Sequence, residues 1–450
     1  MSAYPDFQRN RIQPFAGNPF YWQYRGQPVL LLGGSVEDNL FQIPDIVEHL
    51  DLLASVGGNY VRCTMSSRDV GNVWPHERDP DTGLYDLNTP GVEYWRRFER
   101  FLELCEERGI VAQIELWDRF DFARGPWQDN PYNPRNNRNY SCEESGLPAA
   151  IDTHPGKRES CFFRSVPALE DNRVLLAHQH EQVDKLLSIS LRHGNVLYCM
   201  DNETNESPEW PAYWAKYVRA AAEREGVGVE LTEMWDAHDL HDPQHENTWG
   251  HPELYSFVDI SQNSHRPPTD HWQNARDMRR TIRDSGHVRP LNTVKIYGAN
   301  TGSYGNARDA QERFWRNVIG GLASSRFHRP PSGLGLTPRA RSHIRSARAF
   351  TDAFDLRACE PANELLTQRS YNEAYCTADP PEAYAVFFTD GGDVYLDVSA
   401  AGGRPLEVWW MDVLASRWLP VQKVPGGVGR ARLTTPRDEG YWAALVKPGP

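Results

Sequence analysis

Acidic and basic side chains recur at the ends of apolar runs in this 450-residue chain. The run through Leu30-Leu-Leu-Gly-Gly leads into Glu37 and Asp38. Tyr60-Val is followed by Arg62, and the run from Ile110 carries Glu115 before Trp117 and Asp118. Val196-Leu-Tyr-Cys-Met ends in Asp201, Asn202 and Glu203. The next runs carry Glu233, Trp235, Asp236 and His238, then Gln262, Asn263 and His265, then Asn292, Lys295 and Tyr297. A carboxylic acid and a carboxylate aimed at one acetal carbon do general acid/base work on a glycosidic bond. Any one of these acids is equally at home in a buried ion pair with Arg or Lys. Their recurrence at run after run, with Trp beside them, is the stronger signal.

Other chemistries leave weaker traces. His238, His241, His245 and His251 alternate with Asp236, Asp239 and Asp242, and zinc uses such ligands. The stretch lacks HExxH, so hydrogen-bonding loop histidines are the simpler reading and no metal or other cofactor is expected. No GxSxG marks a serine hydrolase. Neither GxGxxG nor GxxxxGK[ST] offers a phosphate cradle.

The elements that must position these residues alternate. Strands are predicted over 28–34, 59–65, 109–117, 195–203, 227–235, 257–261 and 291–297, with a weak one over 324–329. Helical spacing fills 43–56, 92–108, 169–192, 208–225, 271–284, 307–322 and 338–354. Eight βα units predict an α/β protein with a closed (β/α)8 barrel, in which reactive groups sit at the C-terminal ends of the strands. The polar stretch 119–165 is too long for a connector and reads as a lid or active-site insertion that closes the pocket and favours exo action. From about residue 380 the pattern switches to period two, as in Ala383-Tyr-Ala-Val-Phe-Phe and Asp393-Val-Tyr-Leu-Asp-Val. That predicts a small antiparallel β-sandwich bracing the barrel. Residues 1–365 are assigned to the barrel and 366–450 to the sandwich.

A net charge of −13 argues against a nucleic-acid partner. No apolar run approaches a membrane span. The start Met1-Ser-Ala-Tyr-Pro-Asp has no basic-plus-apolar leader, and seven cysteines without a CxxC pair suit free thiols; both point to the cytoplasm. Fifteen Trp residues supply core or sugar-stacking surface, and Trp117, Trp127 and Trp235 are the candidates to wall a pocket.

Several of these motifs resemble a known family. Tyr24-Arg-Gly-Gln-Pro-Val-Leu-Leu-Leu-Gly-Gly-Ser, Gly57-Gly-Asn-Tyr-Val-Arg and Met200-Asp-Asn-Glu occur in the order seen in retaining (β/α)8 glycoside hydrolases. With Val408-Trp-Trp-Met-Asp and Tyr441-Trp-Ala-Ala-Leu-Val, the chain is similar to apiosidase-like proteins, whose barrel precedes a β-domain often labelled collagen-binding. The resemblance implies a glycosidase acting on a plant or microbial oligosaccharide or glycoside. Glu203 would be its general acid/base, with a pKa lifted by enclosure or a nearby carboxylate. Asn202 would bind a sugar hydroxyl, Arg62 would orient a carboxylate, and Ser261-Gln-Asn-Ser-His265 matches the polar end of strand six. The family places its second acid on strand seven, yet Lys295 stands there, with no carboxylate between Asp284 and Asp309. The partner acid then comes from strand five as Glu233 or Asp236, or from strands one and three as Asp38, Glu115 or Asp118. Otherwise the barrel only binds carbohydrate. Lys295 either neutralises an anionic sugar such as a uronate or pairs with Glu203.

Overall fold

The computed structural model describes residues 10–299, 305–425 and 429–449. Its centre is parallel. We number the strands β1 (Leu31–Gly34), β2 (Tyr60–Thr64), β3 (Val111–Asp118), β4 (Val196–Asn202), β5 (Glu230–Thr232), β6 (Val258–Asp259), β7 (Leu291–Asn292) and β8 (Ser324–Phe327). Six form one sheet in the order β5-β4-β3-β2-β1-β8, and β6 pairs with β7. Ser256 N–H donates to Leu231 O at 2.9 Å, leading from β5 toward β6. Ala323 N–H to Leu291 O at 2.9 Å and Ile296 N–H to Arg326 O at 3.1 Å join β7 to β8. Main-chain bonds beside the strand ends therefore link the six-stranded sheet to the β6–β7 pair on both sides. Helices Ile46–Ser55, Val92–Glu107, Arg173–Ser190, Glu209–Arg224, Pro268–Asp284 and Ala307–Ile319 lie between them in sequence, and Pro338–Thr351 follows β8. Among the described residues, no helix is long and apolar enough to cross a membrane.

The later strands are shorter than their apolar runs predict, and serines are the reason. Val294 N–H donates to Ser261 Oγ at 2.8 Å, Thr293 N–H to Ser324 Oγ at 2.8 Å and Tyr297 N–H to Ser264 Oγ at 3.0 Å. Side-chain oxygens thus take bonds that a regular ladder would make. The weak prediction at 324–329 is a buried strand at the end of the six-stranded order, with Ser325 turned to Phe314 O of the preceding helix and Arg326 reaching Val294 O.

The N-terminal strands Trp22–Tyr24 and Gln27–Val29 form a hairpin. Arg25 and Gly26 have φ of 52° and 71°, the left-handed pair that a tight hairpin turn requires. A second hairpin, His76–Arg78 with Tyr85–Pro90, had no expected counterpart. The stretch 119–165 is packed rather than loose. Short helices Arg124–Asp129 and Cys142–Ser145 enclose an aromatic cluster in which Phe122 stacks on Phe162 at 3.9 Å. All seven cysteines are free.

The C-terminal region is antiparallel. Strands β9 (Ala374–Asp379), β10 (Ala383–Phe388), β11 (Asp393–Asp397), β12 (Leu406–Asp412), β13 (Arg430–Thr434) and β14 (Trp442–Pro448) fall into two sheets. Val386, Phe388 and Trp410 from one sheet pack with Val394, Leu396 and Leu433 from the other. This region bears on the helices: Trp315 stacks on Phe387 with centroids 5.0 Å apart, and Phe350 stacks on Trp418 at 5.6 Å.

Candidate active site

Period-two alternation points Gln113 and Glu115 of β3 into the space between the strands. Past Glu115 the alternation slips. Asp118 turns inward, while Trp117 turns out against Trp210 and Trp214 of the helix after β4. On β4 the same slip sends Asp201 to Arg119 and leaves Asn202 and Glu203 at the mouth. The mouth is a cleft of about 600 Å³ lined by Asp38, Arg62, Asn202, Glu203, Asp236, His265, Lys295 and Tyr297, among others.

Arg62 anchors it. This guanidinium is wholly buried, and it grips Glu115 with both prongs, at 2.6 and 2.5 Å. It also pairs with Asp38 and donates to Asn202 Oδ1 at 2.9 Å. Burial disfavours its charge, but Glu115 and Asp38 hold its pKa well above the ordinary value. Burial raises Asp38 too, yet Arg62, His328 and Arg329 hold it far below the carboxylate range. Burial wins at Glu115, which stays raised. Asn202 completes the link: its Nδ2 donates to Asp118 Oδ1 at 3.1 Å, and its Oδ1 also receives Lys295.

Glu203 is the next residue. Its φ is 57°, a left-handed backbone that costs a non-glycine residue free energy. The neighbouring main chain fixes it. Thr204 N–H donates to Met234 O at 2.8 Å and Asp236 N–H to Thr204 O at 2.9 Å. Lys295 Nζ lies 2.7 Å from Glu203 Oε1, and Tyr297 Oη donates to the same oxygen at 3.0 Å. Burial pushes the Glu203 carboxyl up, but Lys295 and Tyr297 bring it down to about 2. The lifted pKa expected for a resting general acid is therefore corrected: Glu203 is an anion. Asp236 moves the other way, raised by burial and by the Glu203 charge. Lys295 thus sits against Glu203 in the cleft.

Several expected residues lie elsewhere. Glu233 is fully buried behind the mouth, bonded to the Thr204 hydroxyl and, at 3.2 Å, to Asp201 N–H. Burial and the Asp201 charge push its pKa well up. One carboxyl therefore clamps the chain on both sides of Glu203. Trp235 is buried and donates to Thr248 Oγ1 at 2.8 Å, and Trp127 donates to Pro148 O at 3.0 Å. Neither these rings nor Trp117 line the cleft, because each completes an interior layer. Glu115 and Asp118 support the cleft lining from behind.

Aromatic walls exist without Trp. His238 and His265 stack at 3.9 Å, and Tyr297 lies between His265 at 4.7 Å and His328 at 4.8 Å. Burial and His238 lower His265 to about 4, so the His265 ring is largely uncharged at neutral pH. Arg68, Phe120, His154, His328, Arg329 and Ser332 also line the cleft and had not been singled out. His328 and Arg329 directly follow β8, a position that marks them once that strand is accepted. Arg68 and His154 sit in loops and Phe120 in a short 3-10 turn, Arg119–Phe122, and none carries a motif. Among the described residues, no three His, Cys, Asp or Glu side chains group as metal ligands. The histidine-rich stretch disperses: His245 bonds Ala237 O, and His251 bonds Glu253.

Solved structures share this architecture. A glycoside hydrolase family 5 protein from Bacteroides vulgatus matches with a TM-score of 0.63 at 12% identity, covering 98% of this chain and 95% of that one. A second glycoside hydrolase from the same organism matches at 0.61 and 12%, covering 98% and 83%. A family 5 mannosidase from Rhizomucor miehei matches at 0.51 and 11%, covering 78% and 99%. At these identities the likeness is one of fold. No family model and no curated protein matches the chain.

Proposed function

We propose that this protein is a glycoside hydrolase whose (β/α)8 barrel, residues 1–365, carries the site, with a β-sandwich over 366–450 as its brace. The observation behind this is a pair of cleft carboxylates whose pKa values are driven in opposite directions, Glu203 down to about 2 and Asp236 up. Such a split assigns roles. Asp236 protonates the departing oxygen of the glycan. Glu203 enters as the anion, its charge matched to the positive character that grows at the anomeric carbon. Lys295 and Tyr297 keep Glu203 ionised, and Arg62 fixes Asn202 for a sugar hydroxyl. Glu233 positions the Glu203 peptide without touching substrate.

Aryl glycosides of graded leaving-group acidity test the roles. Asp236→Asn should retain turnover of dinitrophenyl glycosides, which need no proton, and lose alkyl glycosides by about 10²–10⁴-fold. Glu203→Gln should lose both. Equal loss of both substrate types in Asp236→Asn removes the acid assignment.

The Lys295–Glu203 pair favours one other reading, a barrel that binds carbohydrate without cleaving it. Wild-type protein that binds glycans and turns over none of the panel selects that reading.

A further inference from the structure

A buried cation grips the chain on both sides of Glu203. Arg119 directly follows β3 and begins the insertion. Its Nε lies 2.6 Å from Asp201 Oδ2, two residues before Glu203. Its Nη1 donates to Asn205 Oδ1 at 3.4 Å, two residues after, and lies 3.8 Å from Glu206 Oε1. The Arg119 side chain is 3% exposed and that of Asp201 0%, so water does little to screen the pair. Asp201 in turn holds the main chain, its Oδ1 accepting from Asn202 N–H at 2.8 Å. One guanidinium therefore ties the segment just ahead of the left-handed residue to the segment just beyond it.

The insertion seats that guanidinium. Its carbon stands 4.3 Å from the centre of the Phe163 ring, within reach of a cation–π contact. Phe163 is fixed in turn by Phe122 at 5.2 Å and by Trp210 of the helix after β4 at 5.4 Å. Arg164 lies 3.6 Å from Glu206 and donates to Glu170 at 2.6 Å, so the next insertion residue meets the same loop. Charge explains the need for a cation here. Burial raises the Asp201 and Glu233 carboxyls, Asp118 adds to the rise at Asp201 and Asp201 to that at Glu233, and Arg119 opposes both. A left-handed residue other than glycine persists only where its surroundings over-determine it. Arg119 supplies that constraint from the β3 side, as Glu233 does from β5.

We propose that Arg119 is a positioning residue for the Glu203 carboxylate, and that the insertion acts through it. Phe163 and Arg164 hold Arg119 and Glu206, and Arg119 holds the turn that presents Glu203 to the cleft. That this presentation serves catalysis rests on the glycosidase reading; the hold on the turn does not.

Two variants loosen the grip by different amounts. Arg119→Met removes the cation, and Phe163→Leu leaves it but takes away the ring beneath it. Hydrogen exchange of the full chain, followed by mass spectrometry, reads the amides of residues 202–206 against those of β2. Turnover of dinitrophenyl glycosides reads kcat and KM separately. Exchange over 202–206 should quicken about tenfold or more in Arg119→Met and by less in Phe163→Leu, with β2 unchanged. In Arg119→Met kcat should fall about 10²-fold, the scale of a misplacement of about 1 Å, and by less in Phe163→Leu. KM should stay within about threefold of wild type in both. Exchange over 202–206 that matches wild type, or a quickening that spreads equally through β2, overturns the inference. So does a loss carried by KM with kcat preserved. If Arg119→Met does not fold, Phe163→Leu decides by the same readings. Wild type that turns over nothing removes the glycosidase reading, and exchange over 202–206 then upholds or overturns the hold on the turn by itself.

Discussion

Replacing Lys295 with Met takes away the cation 2.7 Å from Glu203 Oε1. Neither partner is well solvated: the Lys295 side chain is 1% exposed and that of Glu203 17%. The pair holds Glu203 at about 2 against an ordinary 4.5. At about 1.4 kcal/mol per pH unit, that difference favours the charged form by roughly 3 kcal/mol. A buried charge left without its partner costs about 3–5 kcal/mol by a separate route. The expected deficit of Lys295→Met at neutral pH is therefore about 3 kcal/mol. Its pH dependence has a definite sign. In the wild type the depressed pKa gives stability present above 4.5 and lost as pH falls toward 2. In Lys295→Met burial is opposed only by Tyr297 and Arg62, so the Glu203 pKa rises from its depressed value. The deficit is then largest at neutral pH and narrows as acid protonates the lone carboxyl. Urea unfolding of wild type, both single variants and Lys295→Met/Glu203→Gln, near neutrality and near about pH 4, measures the coupling. A deficit below about 1 kcal/mol, or one that Glu203→Gln fails to relieve, refutes Lys295 as the counterion.

Glu233 should tolerate Gln within about 1 kcal/mol, because its pKa is pushed well up and a neutral amide still meets Thr204. Glu233→Leu should cost about 2–3 kcal/mol; thermal unfolding compares the two, and equal losses contradict a protonated clamp. Arg62→Lys keeps the charge but not the fork that spans Glu115, Asp38 and Asn202, and should destabilise by about 3–5 kcal/mol in urea. Trp315→Ala removes the ring stacked on Phe387 and should cost about 3–5 kcal/mol, with proteolysis near residue 365 rising as the two regions loosen.

Much of the parallel centre is legible in the chain because buried strands are continuous apolar runs, as at Val196–Asn202. Serine-rich β8 and the polar ends of β6 and β7 are fainter, since their bonds go to hydroxyls that no periodicity records. The hairpin at 76–90 has little apolar alternation to announce it. The Trp residues misled for a related reason. Trp117 lies beside cleft residues in sequence, but the alternation slip after Glu115 turns it outward.

The order of types along the chain was enough to place an acid, an amide and a cation at successive strand ends, because strand direction fixes which end faces the mouth. It was also enough to show that strand seven offers Lys295 and no carboxylate. Only the folded arrangement decided protonation. Glu203 and Lys295 are 92 residues apart, and their 2.7 Å contact in a buried place converts an expected proton donor into a fixed anion. Electrostatic energy depends on separation and solvent exclusion, and neither is written in the spacing of residues along a chain.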